Sequence, residues 1–247
     1  MMSNQKYQRD FHLDCFLLDY EGKASLVTYF NLMQEIALKH ANVVGFGFEE
    51  MVKNNMIWVL TRMGIEIYSP LRWDQTVTIK TWSRGIEGAY SFREFEFFDE
   101  DQNKIGIASS SWVPIDIKSR KPTKVFDVAT VEKVAIKESV NIELKKVFLP
   151  NDMEVGLHHK VRLTDLDINN HANNARYVEW IYNSLPPNFF KSYQRLKFHI
   201  NYLGEAKLND QVEIRRSPLD GFKKDFYFEG RNQTLDRPFF NAVLLAD

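Results

Sequence analysis

The 247-residue sequence contains a single cysteine, Cys15. One thiol excludes a disulfide bond within the chain and a metal centre built from several cysteine ligands. Cys15 lies in residues 7–16, which we expect to form an early strand, far along the chain from the polar motif described below. We therefore predict that its side chain fills a packing position and takes no part in catalysis.

Long apolar runs and a strong excess of one charge are also lacking. No uncharged apolar stretch approaches the length of about 20 residues that spans a bilayer, and residues 1–10 lack the apolar core of a signal peptide. The net charge of −1 does not fit a nucleic-acid-binding surface, which is typically strongly basic. With 44% hydrophobic and 26% charged residues, the composition is typical of a packed enzyme, which we expect in the cytoplasm.

A polar motif occupies residues 164–180. Asp167, Asn169 and His171 are spaced two positions apart, so their side chains would point the same way from an extended segment. The following pair, Asn173-Asn174, suits a helix start, because an asparagine side chain can accept a hydrogen bond from an otherwise unpaired backbone amide. Turn and cap roles account for Asp and Asn alone, but turn chemistry needs no imidazole. The motif therefore predicts a catalytic site at a helix N-terminus.

The predicted elements, a helix followed by strands, occur twice along the chain. In the first half, apolar residues recur at helical spacing after Ser25, a typical N-cap, and Gly45 lies beyond the helix. In the second half, Pro186-Pro187 ends a helix over residues 173–185. Alternating or apolar runs between turn residues predict the strands, at residues 56–68, 75–82, 89–98, 105–117, 158–163, 196–202, 211–217, 225–230 and 239–245.

The segment between the halves is more charged and loses clean periodicity. We divide the chain into a first domain at residues 1–125, a crossover linker at 126–154 and a second domain at 155–247. We expect one strand or short helix inside the linker. A helix with antiparallel strands in each domain predicts an α+β fold.

The motif resembles the signature of the plant-type acyl-ACP thioesterases and their bacterial relatives, roughly Asp-Leu-Asp-x-Asn-x-His-x-Asn-Asn-x-x-Tyr-x-x-Trp. Residues 165–180 read Asp-Leu-Asp-Ile-Asn-Asn-His-Ala-Asn-Asn-Ala-Arg-Tyr-Val-Glu-Trp. Residues 34–40, 55–63 and 108–113 resemble further blocks of the family, so the likeness spans nearly the whole chain. It implies a tandem double hotdog, in which the antiparallel sheet of each half wraps around a central long helix.

The resemblance also implies an activity, the hydrolysis of fatty acyl-ACP to free fatty acid and ACP without a metal or other cofactor. The family's catalytic glutamate corresponds to Glu205, and Ala206 replaces a neighbouring cysteine, which argues against a covalent cysteine intermediate. The implied catalytic set is Asp167, Asn169, His171 and Glu205. Either Glu205 or Asp167 would activate water, or Asp167 would attack the thioester directly. Backbone amides at the helix start would stabilise the oxyanion.

A long acyl chain needs an apolar pocket with a polar mouth. The first domain, rich in aromatic residues, offers candidates for the lining of this pocket, which are Trp58, Met63, Tyr90, Phe92 and Trp112. Chain-length preference cannot be read from these residues, because one side chain can change it.

The implied partner, ACP, is acidic, so a chain of net charge −1 would need a local basic patch to bind it. The densest patch lies at residues 118–124 and includes Arg120, Lys121 and Lys124. Two competing patches, Arg215-Arg216 and Lys223-Lys224, lie in the second domain. A homodimer of double hotdogs is compatible with the sequence, which does not determine the oligomeric state.

Three alternatives share part of this evidence. An acyl-CoA thioesterase of the hotdog superfamily would be distinguished by its kcat/KM on the same acyl group carried by CoA and by ACP. A hotdog dehydratase or hydratase fits less well, because the Asn-Asn-x-x-Tyr block belongs to the thioesterases. A non-catalytic acyl-binding module would bind product without turnover. Plant members would carry a plastid transit peptide, which this sequence lacks, so we expect a bacterial-type or mature form.

Overall fold

The computed structural model of the chain describes residues 5–187, 189–192, 195–219 and 225–246. The chain divides into two compact units, one ending at Leu144 and the other beginning at Lys145. Both units combine helices with antiparallel strands, so the predicted α+β class is confirmed.

The first unit consists of one antiparallel sheet and its helices. Its elements in chain order are β1 (Tyr7–His12), α1 (Leu26–Val43), α2 (Phe48–Lys53), β2 (Met56–Ile67), β3 (Thr76–Glu87), β4 (Tyr90–Phe98), β5 (Lys104–Asp116) and α3 (Val128–Val134). Within the described residues, its strands lie in the order β1-β3-β4-β5-β2, each antiparallel to its neighbours.

Helix α1 forms where the sequence predicts it. The Ser25 side chain accepts a hydrogen bond from the backbone N–H of Thr28 at 3.3 Å, which satisfies one of the unpaired amides of the first turn. Gly45 follows the helix in the left-handed region, with φ of 82°. The buried Tyr29 lies edge-on to Phe97 of β4, with 5.6 Å between ring centroids. Helix α1 therefore covers the face of the sheet that carries Phe97.

The same face of β4 carries a half-buried cation. Arg93, an even number of positions from Phe97, donates to Nδ1 of His40 on α1 at 2.8 Å and to Oγ1 of Thr81 on β3 at 3.2 Å. The ring of Tyr7 stacks on that of His40, with 5.5 Å between centroids. Burial, together with the adjacent guanidinium, lowers the pKa of His40 to about 3, and burial lowers the pKa of Arg93 to about 10. His40 is therefore neutral in the folded protein at ordinary pH.

The second unit repeats the order of the first. Its elements are β6 (Glu154–Lys160), α4 (Asn174–Asn183), β7 (Leu196–Tyr202), β8 (Gln211–Arg216), β9 (Asp225–Asn232) and β10 (Arg237–Ala246). Within the described residues, these strands lie in the order β6-β8-β9-β10-β7. The order corresponds strand by strand to that of the first unit.

The predicted strands are present with shifts of a few residues at their ends, and three local differences appear. The early strand ends at His12, and the chain turns through a short 3₁₀ helix, Cys15–Leu17. Cys15 is exposed, so its predicted packing role is wrong; the fully buried Leu13 takes that role. Helix α2 was not predicted, and α4 spans 10 residues, which is shorter than expected.

In the parts of the chain that the structure describes, no helix has both the length and the apolar character needed to cross a bilayer.

The buried His40 predicts a specific loss of stability in acid. The unfolded chain takes up a proton near the ordinary histidine pKa of 6.5, whereas the folded protein does so only near 3. Unfolded molecules thus bind more protons in this window, and the free energy of unfolding falls as pH decreases from 6.5 towards 3. Through His40, the free energy of unfolding should fall by about 2 kcal/mol between about pH 7 and about pH 5.

Urea unfolding of wild type and His40→Gln at several pH values tests this prediction. Glutamine keeps a hydrogen-bond acceptor for Arg93 but does not titrate, so its stability should depend less on pH across the window. His158→Gln, at an exposed strand position, controls for the substitution itself. Equal pH dependence in wild type and His40→Gln would show that His40 does not have the protonation behaviour described here.

Candidate active site

The segment Asp167 to His171 is a tight turn, not the extended segment that its spacing predicted. The Asp167 N–H donates to the His171 carbonyl at 2.8 Å and the Asn170 N–H to the Asp167 carbonyl at 3.1 Å, while Asn170 adopts φ of 60°. Asp167 Oδ1 also accepts the N–H groups of Asn169 at 2.8 Å and His171 at 3.4 Å. The aspartate side chain competes for backbone amides, and this competition favours a turn over a strand.

The residues that follow the turn connect it to helix α4 and to a loop. Ala172 donates its N–H to the carbonyl of Ala206 at 2.8 Å. Asn173 is the N-cap of α4, as predicted, and its Oδ1 accepts the N–H of Ala175 at 2.9 Å. The N–H of Asn174 has no hydrogen-bond partner among the described residues. The first turn of α4 therefore offers one backbone donor beside the motif.

Two predicted catalytic residues from distant parts of the sequence meet at this place. Nε2 of His171 lies 3.5 Å from Oε2 of Glu205, and the two side chains are 20% and 34% exposed. This separation is slightly longer than a hydrogen bond, so a small movement or one bridging water would allow the imidazole and the carboxylate to exchange a proton. Their partial exposure leaves the pair accessible to a substrate.

Tyr177 of α4 binds the loop that carries Glu205. Its hydroxyl accepts the N–H of Ala206 at 2.9 Å and donates to the carbonyl of Gly204 at 3.5 Å. The side chain is buried against aromatic rings, which belong to Trp180, Tyr202, Phe239 and Phe240. Burial raises the pKa of Tyr177, so the hydroxyl stays neutral. Tyr177 belongs to the motif, but its residue type and spacing predicted no role of its own.

The side chain of Asn169, another predicted site residue, is not brought to the pair. Its side chain is exposed on the turn and makes no hydrogen bond to any residue in the described ranges. Its backbone N–H supports the turn by donating to Asp167. A role for its amide would therefore have to be directed outwards, towards a bound substrate.

A second imidazole–carboxylate pair, which sequence reasoning missed, lies just before the turn. Nε2 of His159 on β6 lies 2.8 Å from Oδ2 of Asp165, and the same oxygen accepts the N–H of Arg162 at 2.7 Å. The ring of His159 also packs on Trp180 of α4, with 4.8 Å between centroids. Asp165 is the first aspartate of the motif, which was the available signal. The pair links the start of the motif to β6 and α4.

Three of the five predicted acyl-pocket residues line two cavities of the first unit. One cavity of about 460 Å³ is lined by Tyr90 and Phe92 together with Arg62 and Arg84. A second cavity of about 460 Å³ is mainly apolar, and its lining residues include Trp58, Ile86, Ser91, Val125 and Val128.

The two cavities lie on opposite faces of the sheet. Ser91 shares its face of β4 with Phe97, which α1 covers, whereas Phe92 points from the other face. Met63 is 1% exposed and belongs to the core. Trp112 is half-buried and donates from Nε1 to Ser110 Oγ at 2.9 Å. The aromatic content of the first domain therefore did not predict that Trp58 and Phe92 line separate cavities.

The basic patch at residues 118–124 is an ordered, exposed turn after β5. Arg120 donates its N–H to the carbonyl of Asp116 at 2.9 Å, and Asp116 donates to the carbonyl of Lys121 at 3.0 Å. The side chains of Arg120, Lys121 and Lys124 are exposed. Neither Lys121 nor Lys124 forms an ion pair with a residue that the structure describes.

The competing patches are less available. Nε of Arg215 lies 3.6 Å from Oε1 of Glu213, and Nη1 of Arg216 lies 2.7 Å from Oε1 of Glu154. Both guanidinium groups therefore already have acidic partners. Lys223-Lys224 lies outside the described residues.

Across the described ranges, no three or more His, Cys, Asp and Glu side chains are grouped so that they could hold a metal ion.

Comparison with protein families gives a match over most of the chain. The family model of the acyl-ACP thioesterase N-terminal domain matches residues 4–132. The family model of the acyl-ACP thioesterase C-terminal domain matches residues 150–234. The second match contains the turn, α4 and Glu205.

Plant proteins are among the similar sequences. The chloroplastic oleoyl-acyl carrier protein thioesterase of Coriandrum sativum is 32% identical over 234 residues, which cover 86% of this chain and 62% of that protein. The chloroplastic oleoyl-acyl carrier protein thioesterase 1 of Arabidopsis thaliana is 30% identical, with 84% and 62% covered. The chain thus spans about three fifths of the length of these curated relatives.

Solved structures show the same fold. An acyl-ACP thioesterase from Bacteroides thetaiotaomicron superposes with a TM-score of 0.89 at 22% identity, and the match covers 100% of both chains. The 12:0-ACP thioesterase from Umbellularia californica superposes with a TM-score of 0.84 at 23% identity, covering 98% of this chain and 97% of that one.

Proposed function

The chain belongs to the acyl-ACP thioesterase family, and we propose that it hydrolyses the thioester of a fatty acyl-ACP to a free fatty acid and ACP. The observation that carries the proposal is the pair of His171 and Glu205, 3.5 Å apart, beside the first turn of α4. These residues come from separate segments; His171 lies in the family's signature, and Glu205 corresponds to the family's catalytic glutamate.

We infer that each unit is a hotdog module and that α1 and α4 are the central helices. The support is the identical strand order of the two sheets and the covering of one sheet face by α1 through Tyr29 and Phe97. On this inference the second unit carries the chemistry, and the first contributes the acyl pocket.

Oxyanion stabilisation is the first requirement of the reaction. The carbonyl oxygen of a thioester gains negative charge as a nucleophile adds, so a donor must already point at it. Asn174 offers an unpaired N–H at the start of α4, where the helix dipole adds a partial positive charge. The neighbouring N–H of Ala175 is occupied by the Asn173 side chain. We therefore assign the oxyanion contact to Asn174.

Water activation is the second requirement, and Glu205 is placed to provide it. Its carboxylate takes a proton from water as the water oxygen bonds to the acyl carbon. The carbon–sulfur bond then breaks, and His171 passes the proton that Glu205 took from water on to the leaving thiolate, which returns both groups to their starting state. Asp167 supports the pair by fixing the turn through Oδ1, which two backbone amides already occupy. Direct attack by Asp167 would have to use Oδ2. The exposed Asn169 amide orients the substrate.

Substitution of the pair is the direct test of this function. His171→Ala and Glu205→Ala should each lower kcat on acyl-ACP by at least about 100-fold, because each removes a group that acts on a proton in transit. Thiol release from ACP measures turnover, and circular dichroism verifies folding. Cys15→Ser, at an exposed position outside the site, is the control and should retain full activity.

Two outcomes would contradict the proposal in different ways. Near-normal turnover in both alanine variants would show that the site is elsewhere. Tight binding of fatty acid by wild type, without turnover of any acyl thioester, would identify a binding module instead.

The apolar cavity lined by Trp58 is our candidate for holding the acyl chain. It lies on the sheet face that α1 covers, and its mainly apolar lining includes aliphatic residues and one indole, together with one cation, Lys124. The cavity with Tyr90 and Phe92 also contains Arg62 and Arg84, whose charges suit an alkyl chain poorly. We therefore propose Trp58 as a specificity residue, leave Trp112 as a further candidate and assign Met63 to the core.

Chain-length preference should follow the volume of this cavity. Trp58→Ala enlarges it and should shift the product profile towards longer chains, by several-fold in relative kcat/KM, since one methylene is worth about 1–3 kcal/mol in a pocket. Phe92→Ala, an aromatic truncation on the opposite face, is the matched control and should leave the profile unchanged. Gas chromatography of products from mixed acyl-ACPs measures the profile. A larger shift in Phe92→Ala than in Trp58→Ala would place the chain in the other cavity.

We propose the exposed turn at residues 118–124 as the docking site of ACP. Lys121 and Lys124 form no ion pair within the described part of the chain, so their charges are available to an acidic partner. Such attraction acts mainly on association and weakens as salt screens it. The paired guanidinium groups of Arg215 and Arg216 are less suited to this role.

Charge reversal tests the docking site. The triple variant Arg120→Glu, Lys121→Glu and Lys124→Glu should raise KM for acyl-ACP about tenfold at low ionic strength and less at high salt. Hydrolysis of a small soluble thioester should be spared. Arg215→Gln with Arg216→Gln is the control. Equal losses on both substrates, or a larger salt-dependent effect in the control, would exclude this docking site.

A further inference from the structure

The turn of the candidate site has a counterpart in the first unit. Asp19 N–H donates to the Lys23 carbonyl at 2.8 Å, and Gly22 N–H donates to the Asp19 carbonyl at 3.0 Å. Asp19 Oδ1 accepts the N–H groups of Glu21 at 2.9 Å and Lys23 at 3.1 Å. These four hydrogen bonds are the ones that Asp167 organises in the second unit. The aspartate turn is therefore part of a repeated backbone structure.

The correspondence continues into the helix and the loop. Ala24 N–H donates to the carbonyl of Leu71 at 2.8 Å, as Ala172 N–H donates to that of Ala206. The hydroxyl of Tyr29 accepts the N–H of Leu71 at 3.1 Å, as Tyr177 accepts that of Ala206. Both tyrosines lie on the helix that follows the turn. Leu71 is thus the counterpart of Ala206. The residue before it, Pro70, occupies the position that corresponds to Glu205.

The repeated structure differs in its reactive side chains. Lys23 replaces His171 and Pro70 replaces Glu205, so the first unit keeps the backbone arrangement without an imidazole–carboxylate pair. The first unit therefore provides an internal control for the tyrosine, because the same hydrogen bond to a loop amide occurs there without the chemistry.

We propose that Tyr177 is a positioning residue for the hydrolysis, because its hydroxyl fixes the backbone on both sides of Glu205. It accepts from Ala206 at 2.9 Å and donates to Gly204 at 3.5 Å, the two residues that flank Glu205. Leu203 and Gly204 also donate their N–H groups to the carbonyl of Phe239, at 2.8 and 3.1 Å. The proposal rests on the proposed function, since it assigns Tyr177 an effect on catalysis through Glu205.

The loss of the hydroxyl should affect the two units differently. Tyr177→Phe and Tyr29→Phe each leave a loop N–H without its acceptor, so both should lower the melting temperature by comparable amounts. Only Tyr177→Phe should lower kcat, by about 10- to 100-fold with KM changed less than about twofold, because a small displacement of a catalytic group is costly. Tyr29→Phe should keep kcat within about twofold of wild type.

A double-substitution cycle separates positioning from a general loss of structure. If Tyr177 acts through Glu205, adding Tyr177→Phe to Glu205→Ala should cause no further fall in kcat on the acyl-ACP that wild type prefers. If the double variant instead shows the product of the two single-variant losses in kcat, the proposal is overturned. Equal kcat values in Tyr177→Phe and Tyr29→Phe, with a lowered kcat in Glu205→Ala, would also overturn it. That result would leave the proposed function intact. Full activity in Glu205→Ala would overturn both.

Amide hydrogen exchange on wild-type protein provides a measurement that does not depend on the folding of a variant. The N–H of Ala206 should be protected to a degree similar to that of Leu71, since a tyrosine hydroxyl binds each of them. Exchange of the Ala206 amide at the rate of an open loop would contradict the positioning role.

Discussion

In each unit, a buried tyrosine hydroxyl accepts a hydrogen bond from a loop amide. Tyr29 accepts from the N–H of Leu71, and Tyr177 accepts from the N–H of Ala206. The bond joins the helix to the loop after the second strand of the unit. In both units an alanine at the end of the aspartate turn donates to the same loop residue. The turn, the helix start and the loop are thereby held together, and in the second unit these three segments carry His171, Asn174 and Glu205.

The proposed chemistry follows from what this arrangement leaves available. The turn occupies Oδ1 of Asp167, and the helix cap occupies the N–H of Ala175. The carboxylate of Glu205 lies beside the imidazole of His171, and the N–H of Asn174 has no hydrogen-bond partner in the described part of the chain. A base, a proton carrier and an oxyanion donor are what thioester hydrolysis requires. The first unit, with Lys23 and Pro70 at the corresponding positions, lacks the first two.

The sequence predicted the elements well where local pattern and burial agree. Helix α1 has a serine cap, a regular apolar face and a glycine after its end, and strands such as β7 alternate cleanly. The turn at Asp167 was missed because a two-residue spacing is shared by strands and by turns in which a side chain binds the backbone. The exposure of Cys15 depends on where the chain turns. The separation of Trp58 from Phe92 depends on the sheet face to which each side chain points. Neither the turns of the chain nor the facing of its strands can be predicted from a count of aromatic residues.

The pairing of His171 with Glu205 could be expected only from the family resemblance, because no local pattern connects the two segments. The role of Tyr177 was not visible in the sequence for the same reason. Its partners, Gly204 and Ala206, contribute backbone atoms, and backbone partners leave no signal in residue type. The repeated hydrogen bonds of the two units become visible only in three dimensions.

Only one of the two similar backbone arrangements is expected to carry the reaction. A crystal structure with an acyl-pantetheine analogue, in which a methylene group replaces sulfur and the carbonyl is kept, tests it most directly. We expect the carbonyl oxygen at the N–H of Asn174, with the carbonyl carbon facing Glu205 and His171. A carbonyl bound beside Lys23 and Pro70, or away from Glu205, would contradict it.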